Sequence, residues 1–300
     1  MPWLVMVAGP NGSGKSTLTD ALRASPDVEL PATYINADEI QKASGCDAAT
    51  AQQSAKALRE AALGSRRDFM YETVMSHPSK LAELQRAETL GYRITVHFVA
   101  TDDPEINVQR VALRVADRGH DVPVDAIRQR YARTMALVPA MLVHAHEALL
   151  FDNSRRGEVG GLALQAHLVE DRLELLTDHP SGWIQVLAER MIQRAREKES
   201  MRSGARDANL PLQMARLDDG STEGKIEVLG AHFVVQQDQQ SNALVLHDRL
   251  LLPEGRNLVL GQTFRIAYRE GAGAVFTARP AAPSPPAPAP TPSSPPASAG

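Results

Sequence analysis

Two rhythms of apolar and polar positions alternate through the first half of the chain. Runs rich in β-branched and aromatic residues at 4–8, 32–37, 69–74, 93–100 and 148–152 read as strands. Between them, apolar positions recur at helical spacing over 16–24, 47–63, 78–90, 104–117 and 124–147, and Gly91 stands where a helix C-cap belongs. Strand and helix taking turns in this way predict an α/β unit with a parallel sheet and flanking helices.

After Asn153 the rhythm changes. Residues 162–169 and 172–176 alternate like a hairpin turning at Glu170 and Asp171, and 183–197 has the spacing of an amphipathic helix. These elements complete a first domain over 1–197. Residues 198–222 mix charge, glycine and small polar side chains without a sustained period, the composition of a linker. From 223 to 279 the pattern is all-β, with strands at 225–229, 232–237, 243–247, 262–268 and 273–277, enough for a small barrel or curled sheet. The last stretch, 280–300, is almost entirely proline, alanine and serine; it cannot bury enough apolar surface to fold and reads as a disordered tail.

Composition adds limits. With 300 residues, two folded units are expected, and 43% hydrophobic residues supply a sizeable interior. A formal net charge of -4 gives no general attraction for nucleic acid. The single cysteine, Cys46, excludes an intrachain disulfide. With no long apolar run for a membrane and no secretory start, a cytoplasmic location is expected.

The chemistry begins directly after the first strand. Gly9-Pro10-Asn11-Gly12-Ser13-Gly14-Lys15-Ser16 fits G-x-x-x-x-G-K-[ST] in full, and with Thr17 it makes up the expected nucleotide-binding stretch. Glycines let successive backbone amides point at phosphate oxygens, and the helix start adds its positive dipole end. Lys15 is expected to reach the β- and γ-phosphates of ATP or GTP, and Ser16 to place its hydroxyl on Mg2+. The same loop text serves transporter-type ATPases. Here, however, the Leu-Ser-Gly-Gly-Gln run is absent, no later strand ends in an Asp-Glu pair, and the loop starts too early for the strands that precede it in that class.

Phosphoryl transfer also needs a base and further cations near the loop. Asp38 lies just beyond the second strand, at the edge where parallel sheets place their sites, and could act as the base or simply cap the next helix. Glu72 and Thr73 end the third strand and could hold a polar acceptor. Arg110, Arg114 and Arg118 recur every four residues before Gly119, His120 and Pro123 break the helix; they form either a lid over the phosphates or a solvated face. Arg128, Arg130 and Arg133 follow on the next helix. Asn153, after the fifth strand, could meet the nucleotide base.

Taken together, the loop, Ile35 to Ile40, Tyr71-Glu72-Thr73, Arg114 to Pro123 and Asp152-Asn153-Ser154 resemble the zeta-toxin-like kinases, in particular a short branch described as predicted ATPases, over about residues 1–195. The resemblance implies a P-loop kinase fold with Asp38 as base and Arg114 and Arg118 on the γ-phosphate. Zeta toxins phosphorylate a sugar hydroxyl of UDP-N-acetylglucosamine, so a small-molecule acceptor and an antitoxin partner are implied. Gly224-Lys225-Ile226, Val245 to Asp248 and Leu260-Gly261-Gln262 before Ile266-Ala267-Tyr268 resemble the KfrB domain of plasmid-transfer proteins, which implies a mobile-element partner. Two functions stand open: a kinase acting on a small-molecule hydroxyl, or a nucleotide switch that tethers a mobile-element assembly.

Overall fold

The computed structural model describes residues 1–116, 122–155, 161–170, 172–253 and 255–277. Arg118, His120, Asp171 and the tail at 280–300 lie outside them.

The first strand, β1 (Trp3–Ala8), leads through the glycine loop into α1 (Lys15–Ala24). Next come β2 (Tyr34–Ile35), α2 (Ala37–Ser44), α3 (Ala48–Gly64), β3 (Phe69–Thr73), α4 (Ser79–Thr89) and β4 (Arg93–Ala100). The chain continues with α5 (Pro104–Ala116), α6 (Val124–Leu142), β5 (Glu147–Asp152), β6 (Ala163–Val169) and β7 (Arg172–Leu175). Among the described residues these strands form one sheet in the order β2-β3-β1-β4-β5-β6-β7. The first five are parallel, and β6 and β7 run antiparallel.

The middle strands are covered on both faces, which is why they read as unbroken apolar runs. Leu4, Met6 and Ala8 pack with Tyr71, Val96 and Phe98 on one side, while Val5 and Val7 pack with Leu18, Met70 and Val99 on the other. The parallel α/β fold expected from the sequence is therefore present.

Three elements differ from the sequence expectation. Helix α2 has no fully buried residue, so no apolar stripe announces it; Asn36 caps its start and Gly45, at φ 69°, closes its end. The helix expected over 124–147 stops at Leu142, because His146 N–H already donates to Ile94 O as the chain enters the sheet. The third correction concerns the linker. Helix α7 (Gly182–Asp207) runs ten residues past Glu197, and Met201 and Ala205, one turn apart, pack against Phe233, Val235, Leu244 and Leu246. One methionine and one alanine among many charges are too faint a stripe to read without the surface they cover.

Beyond α7 come β8 (Leu212–Met214), β9 (Ser221–Leu229), β10 (Phe233–Asp238), β11 (Leu244–Asp248), β12 (Thr263–Arg269) and β13 (Ala272–Thr277). They form a second sheet ordered β13-β12-β9-β10-β11-β8. All its pairs are antiparallel except β8 with β11. Helix α4 is tied to this region: Gln85 Nε2 donates to Ala215 O at 2.8 Å, and Leu217 N–H donates to Gln85 Oε1 at 2.7 Å. One apolar cluster runs without a break from Leu4 in the first sheet to Tyr268 in the second. Among the described residues no helix is long and apolar enough to cross a membrane.

Candidate active site

Five strands end at one edge of the first sheet, and there the segments that follow β1, β2 and β3, with residues of α3, α5 and α6, line a cavity of about 440 Å³. Asn11, Gly12, Lys15 and Ser16 form one wall and Asn36 with Asp38 another. The loop from Thr73 to His77, with Arg59 and Lys80, closes the far end, and Arg114 and Arg130 stand on the α5–α6 side.

The glycine loop is held from below by two asparagines. Asn107, buried, donates from Nδ2 to Asn11 O at 2.8 Å and accepts from Thr101 Oγ1 at 2.6 Å. Asn153 Nδ2 donates to Ser13 O at 2.8 Å. That contact dictates Gly14: its φ is 101°, and a Cβ there would lie 2.4 Å from Asn153 Nδ2. Gly9 is dictated by close approach, since a Cβ would meet Val99 O at 2.1 Å. Asn153, expected at the nucleotide base, thus braces the phosphate loop in this structure.

Lys15 folds back over the start of the loop, donating to Gly9 O and Pro10 O at 2.9 Å each. Burial lowers its pKa to about 8; the Glu72 and Asp38 carboxylates pull it upward, and the Arg114 charge pushes it down. Asp38 lies in the first turn of α2, and Asn36 Oδ1 accepts its backbone N–H at 2.8 Å. The capping role left open for Asp38 therefore belongs to Asn36, and Asp38 faces the cavity.

Glu72 ends β3 on the cavity wall, as expected, and its carboxylate meets three hydroxyls. Ser16 Oγ donates to Glu72 Oε2 at 3.4 Å, Thr19 Oγ1 to Oε1 at 2.7 Å and Tyr34 OH to Oε1 at 2.6 Å. Glu72 sits beside the Ser16 hydroxyl because β3 is the direct neighbour of β1, with Val7 opposite Glu72 in register. This pair of hard oxygens suits Mg2+, which keeps most of its ligands as water and phosphate. No group of three metal-binding side chains occurs among the described residues. Thr73 is on the cavity wall, its Oγ1 accepting the Met75 N–H at 3.2 Å.

Sequence reasoning missed the far end. Met75 is buried at φ 57°, an unfavourable conformation for a non-glycine residue, and the carbonyl before it is held by Thr134 Oγ1, which donates to Val74 O at 2.8 Å. Arg59 and Lys80, on α3 and α4, carried no local motif. Of the α6 arginines, Arg130 reaches the loop, with Nη1 3.4 Å from Asn11 Oδ1, while Arg128 pairs with Glu105 on the surface and Arg133 is exposed.

Residues 1–143 match the family model described as Zeta toxin. A curated protein of Haemophilus influenzae (strain Rd), described as uncharacterized, is 28% identical over 131 residues, which span 42% of this chain and 91% of that protein. Among solved structures, a chain of the AvrRxo1-ORF1:-ORF2 complex with ATP is similar at a TM-score of 0.44 and 14% identity, over 59% of this chain and 61% of that one. A chain from the PezAT toxin-antitoxin system of Streptococcus pneumoniae is similar at a TM-score of 0.36 and 16% identity, over 66% of this chain and 87% of that one.

Proposed function

We propose that this chain is a zeta-toxin-like kinase that transfers the γ-phosphoryl group of ATP to a hydroxyl of a small molecule. The observation that carries the reading is that Asp38 and the phosphate loop open onto one cavity, which has room beyond the loop for a second substrate. A switch that only bound nucleotide would need no such space. The Zeta toxin match over 1–143 spans all the proposed catalytic residues, including Asp38 and Arg114.

In this reading the loop amides and Lys15 hold the β- and γ-phosphates, and Arg114 and Arg130 take up charge on the transferring group. Asp38 accepts the proton of the attacking hydroxyl, a contribution of about 10² to 10⁴ in rate. Glu72 is reassigned from the acceptor to the metal: with Ser16 it would hold Mg2+, which screens phosphate charge when bound with the nucleotide. Arg118 remains a lid candidate by resemblance alone. By the same resemblance the acceptor is a UDP-amino sugar and the protein is a toxin restrained by an antitoxin; the KfrB resemblance of the second domain adds a mobile-element setting.

The test is incubation of the full chain with labelled ATP and a panel of UDP-sugars, nucleosides and cell extract, followed by mass analysis for a new phosphate ester. Asp38→Asn should lower transfer about 10²-fold or more while leaving ATP affinity within about twofold. Transfer at the wild-type rate would remove Asp38 from the role, and finding only ADP and free phosphate would favour a nucleotide switch.

A further inference from the structure

Strand β2 is two residues long, and the helix after it, α2, has no fully buried residue. Backbone pairing and apolar packing thus give the start of α2, where Asp38 lies, little support. A line of side-chain hydrogen bonds supplies it. Asp38 N–H donates to Asn36 Oδ1 at 2.8 Å, Asn36 Nδ2 donates to Tyr34 OH at 2.7 Å, and that hydroxyl donates to Glu72 Oε1 at 2.6 Å. The directions are mutually required. An ionised carboxylate only accepts and a phenol has one proton, so the Tyr34 oxygen is left as an acceptor for the Asn36 amide. Turned over, that amide would set oxygen against oxygen at Tyr34 and donor against donor at Asp38. Thr19 Oγ1, on a residue 1% exposed, gives Glu72 Oε1 a second proton at 2.7 Å. With Oε1 engaged twice, Oε2 is the oxygen turned to Ser16 Oγ at 3.4 Å, the pair assigned above to Mg2+.

We propose that Tyr34 is a positioning residue that ties the metal carboxylate Glu72 to the first turn of α2, so that one hydroxyl holds the metal and the base in register. The proposal rests on the kinase reading for the roles of Glu72 and Asp38, but the tie itself is a property of the free chain. The Tyr34 ring is held apart from its hydroxyl: it packs with Val5, Val7 and Leu18, and the Arg23 guanidinium lies 5.0 Å over its centroid. Tyr34→Phe therefore removes two hydrogen bonds and little else. A second link between α1 and α2, from Arg23 to Glu39 at 3.8 Å, is exposed at both ends and contributes little. Without the Tyr34 hydroxyl, Glu72 Oε1 keeps only Thr19, and the Asn36 amide loses the partner that orients it. The metal end and the base end then loosen together.

The experiment compares wild type, Tyr34→Phe and Thr19→Val as full chains. Amide hydrogen exchange is measured first, without nucleotide. Exchange at Asp38 should quicken about fivefold in Tyr34→Phe and stay at the wild-type rate in Thr19→Val, which touches only Glu72. Amides in α6 should be unchanged in both. Calorimetric titration with a non-hydrolysable ATP analogue, with and without Mg2+, gives the second readout. The gain in affinity from Mg2+ should fall several-fold in both variants, while metal-free affinity stays within about twofold. In transfer, kcat of Tyr34→Phe should drop about tenfold, with nucleotide KM within about twofold. Unchanged exchange at Asp38 in Tyr34→Phe, an equal change in Thr19→Val, or a quickening that extends through α6 would each overturn the proposal. So would an undiminished Mg2+ gain in Tyr34→Phe. The exchange arm needs no catalysis: a wild type without transfer would remove the kinase reading and leave the tie from Glu72 to α2 decided on its own.

Discussion

Burial holds the Lys15 pKa at about 8 in the free protein, against 10.5 for the unfolded chain. Between those values the unfolded state carries more protons. The charged lysine therefore costs stability below about pH 8, and that cost is relieved as pH rises from there to 10.5. Phosphate oxygens favour the charged form, so nucleotide binding at pH 8.5 should take up a proton. The signature is a binding heat that differs between buffers of different ionisation enthalpy at pH 8.5, converges at pH 6.5 and is lost in Lys15→Arg. Equal heats in both buffers at pH 8.5 would contradict it. Glu72 makes a second residue-level case. Glu72→Gln keeps an oxygen for Thr19 and Tyr34 but removes the charge beside Ser16. The Mg2+ concentration for half-maximal transfer should rise about tenfold, with metal-free nucleotide binding no weaker. An unchanged Mg2+ requirement would return Glu72 to the acceptor.

Strands β10, β11 and β12 enclose a polar network inside the second sheet. His247 lies 3.0 Å from Tyr268 OH through Nδ1 and 3.1 Å from Gln236 Oε1 through Nε2. The Gln236 amide in turn donates to Gly224 O at 2.9 Å and Phe264 O at 2.8 Å. Fully buried, His247 is neutral, its pKa lowered by burial to about 3; His97 on β4 is lowered by burial to about 4. Because the unfolded histidines titrate near 6.5, the unfolded chain binds more protons below that pH. The stability is complete above about 6.5 and falls by about 1.4 kcal/mol per pH unit for each histidine as the medium acidifies towards the folded values. Urea midpoints at pH 7 and pH 5 should show this decline, and His247→Gln should flatten it. A midpoint independent of pH over that range would show that the network opens without unfolding.

At the scale of the whole molecule, the second sheet supports the far end of the cavity, where Thr73 to His77 lie. The turn between β12 and β13 meets the loop leading into α4: a Cβ on Gly271 would lie 2.0 Å from Pro78 O, and Glu270 pairs with Lys56 at 3.5 Å. Gly271→Val sets side chain against backbone, so the turn must withdraw from Pro78 and release the loop that carries Met75, Ser76 and His77. Acceptor KM should rise about fivefold or more while nucleotide affinity stays within about twofold. Equal loss of both would mean a general loss of fold. The sequence by itself determined the elements that repeat locally: the parallel strands, the phosphate loop and the position of Asp38 after β2 all follow from short-range period and spacing. It left α2, the end of α7 and the linker misread, because caps or just two buried residues, Met201 and Ala205, define them rather than a strong stripe. Only the tertiary structure decided that Glu72 stands beside Ser16, since strand order sets that neighbour. The same holds for the meeting of Arg59 and Lys80 on the Glu83 carboxylate and for the contact of Gly271 with Pro78. Each joins residues distant in the chain, and no local pattern encodes which distant surfaces the packing of two sheets will bring together.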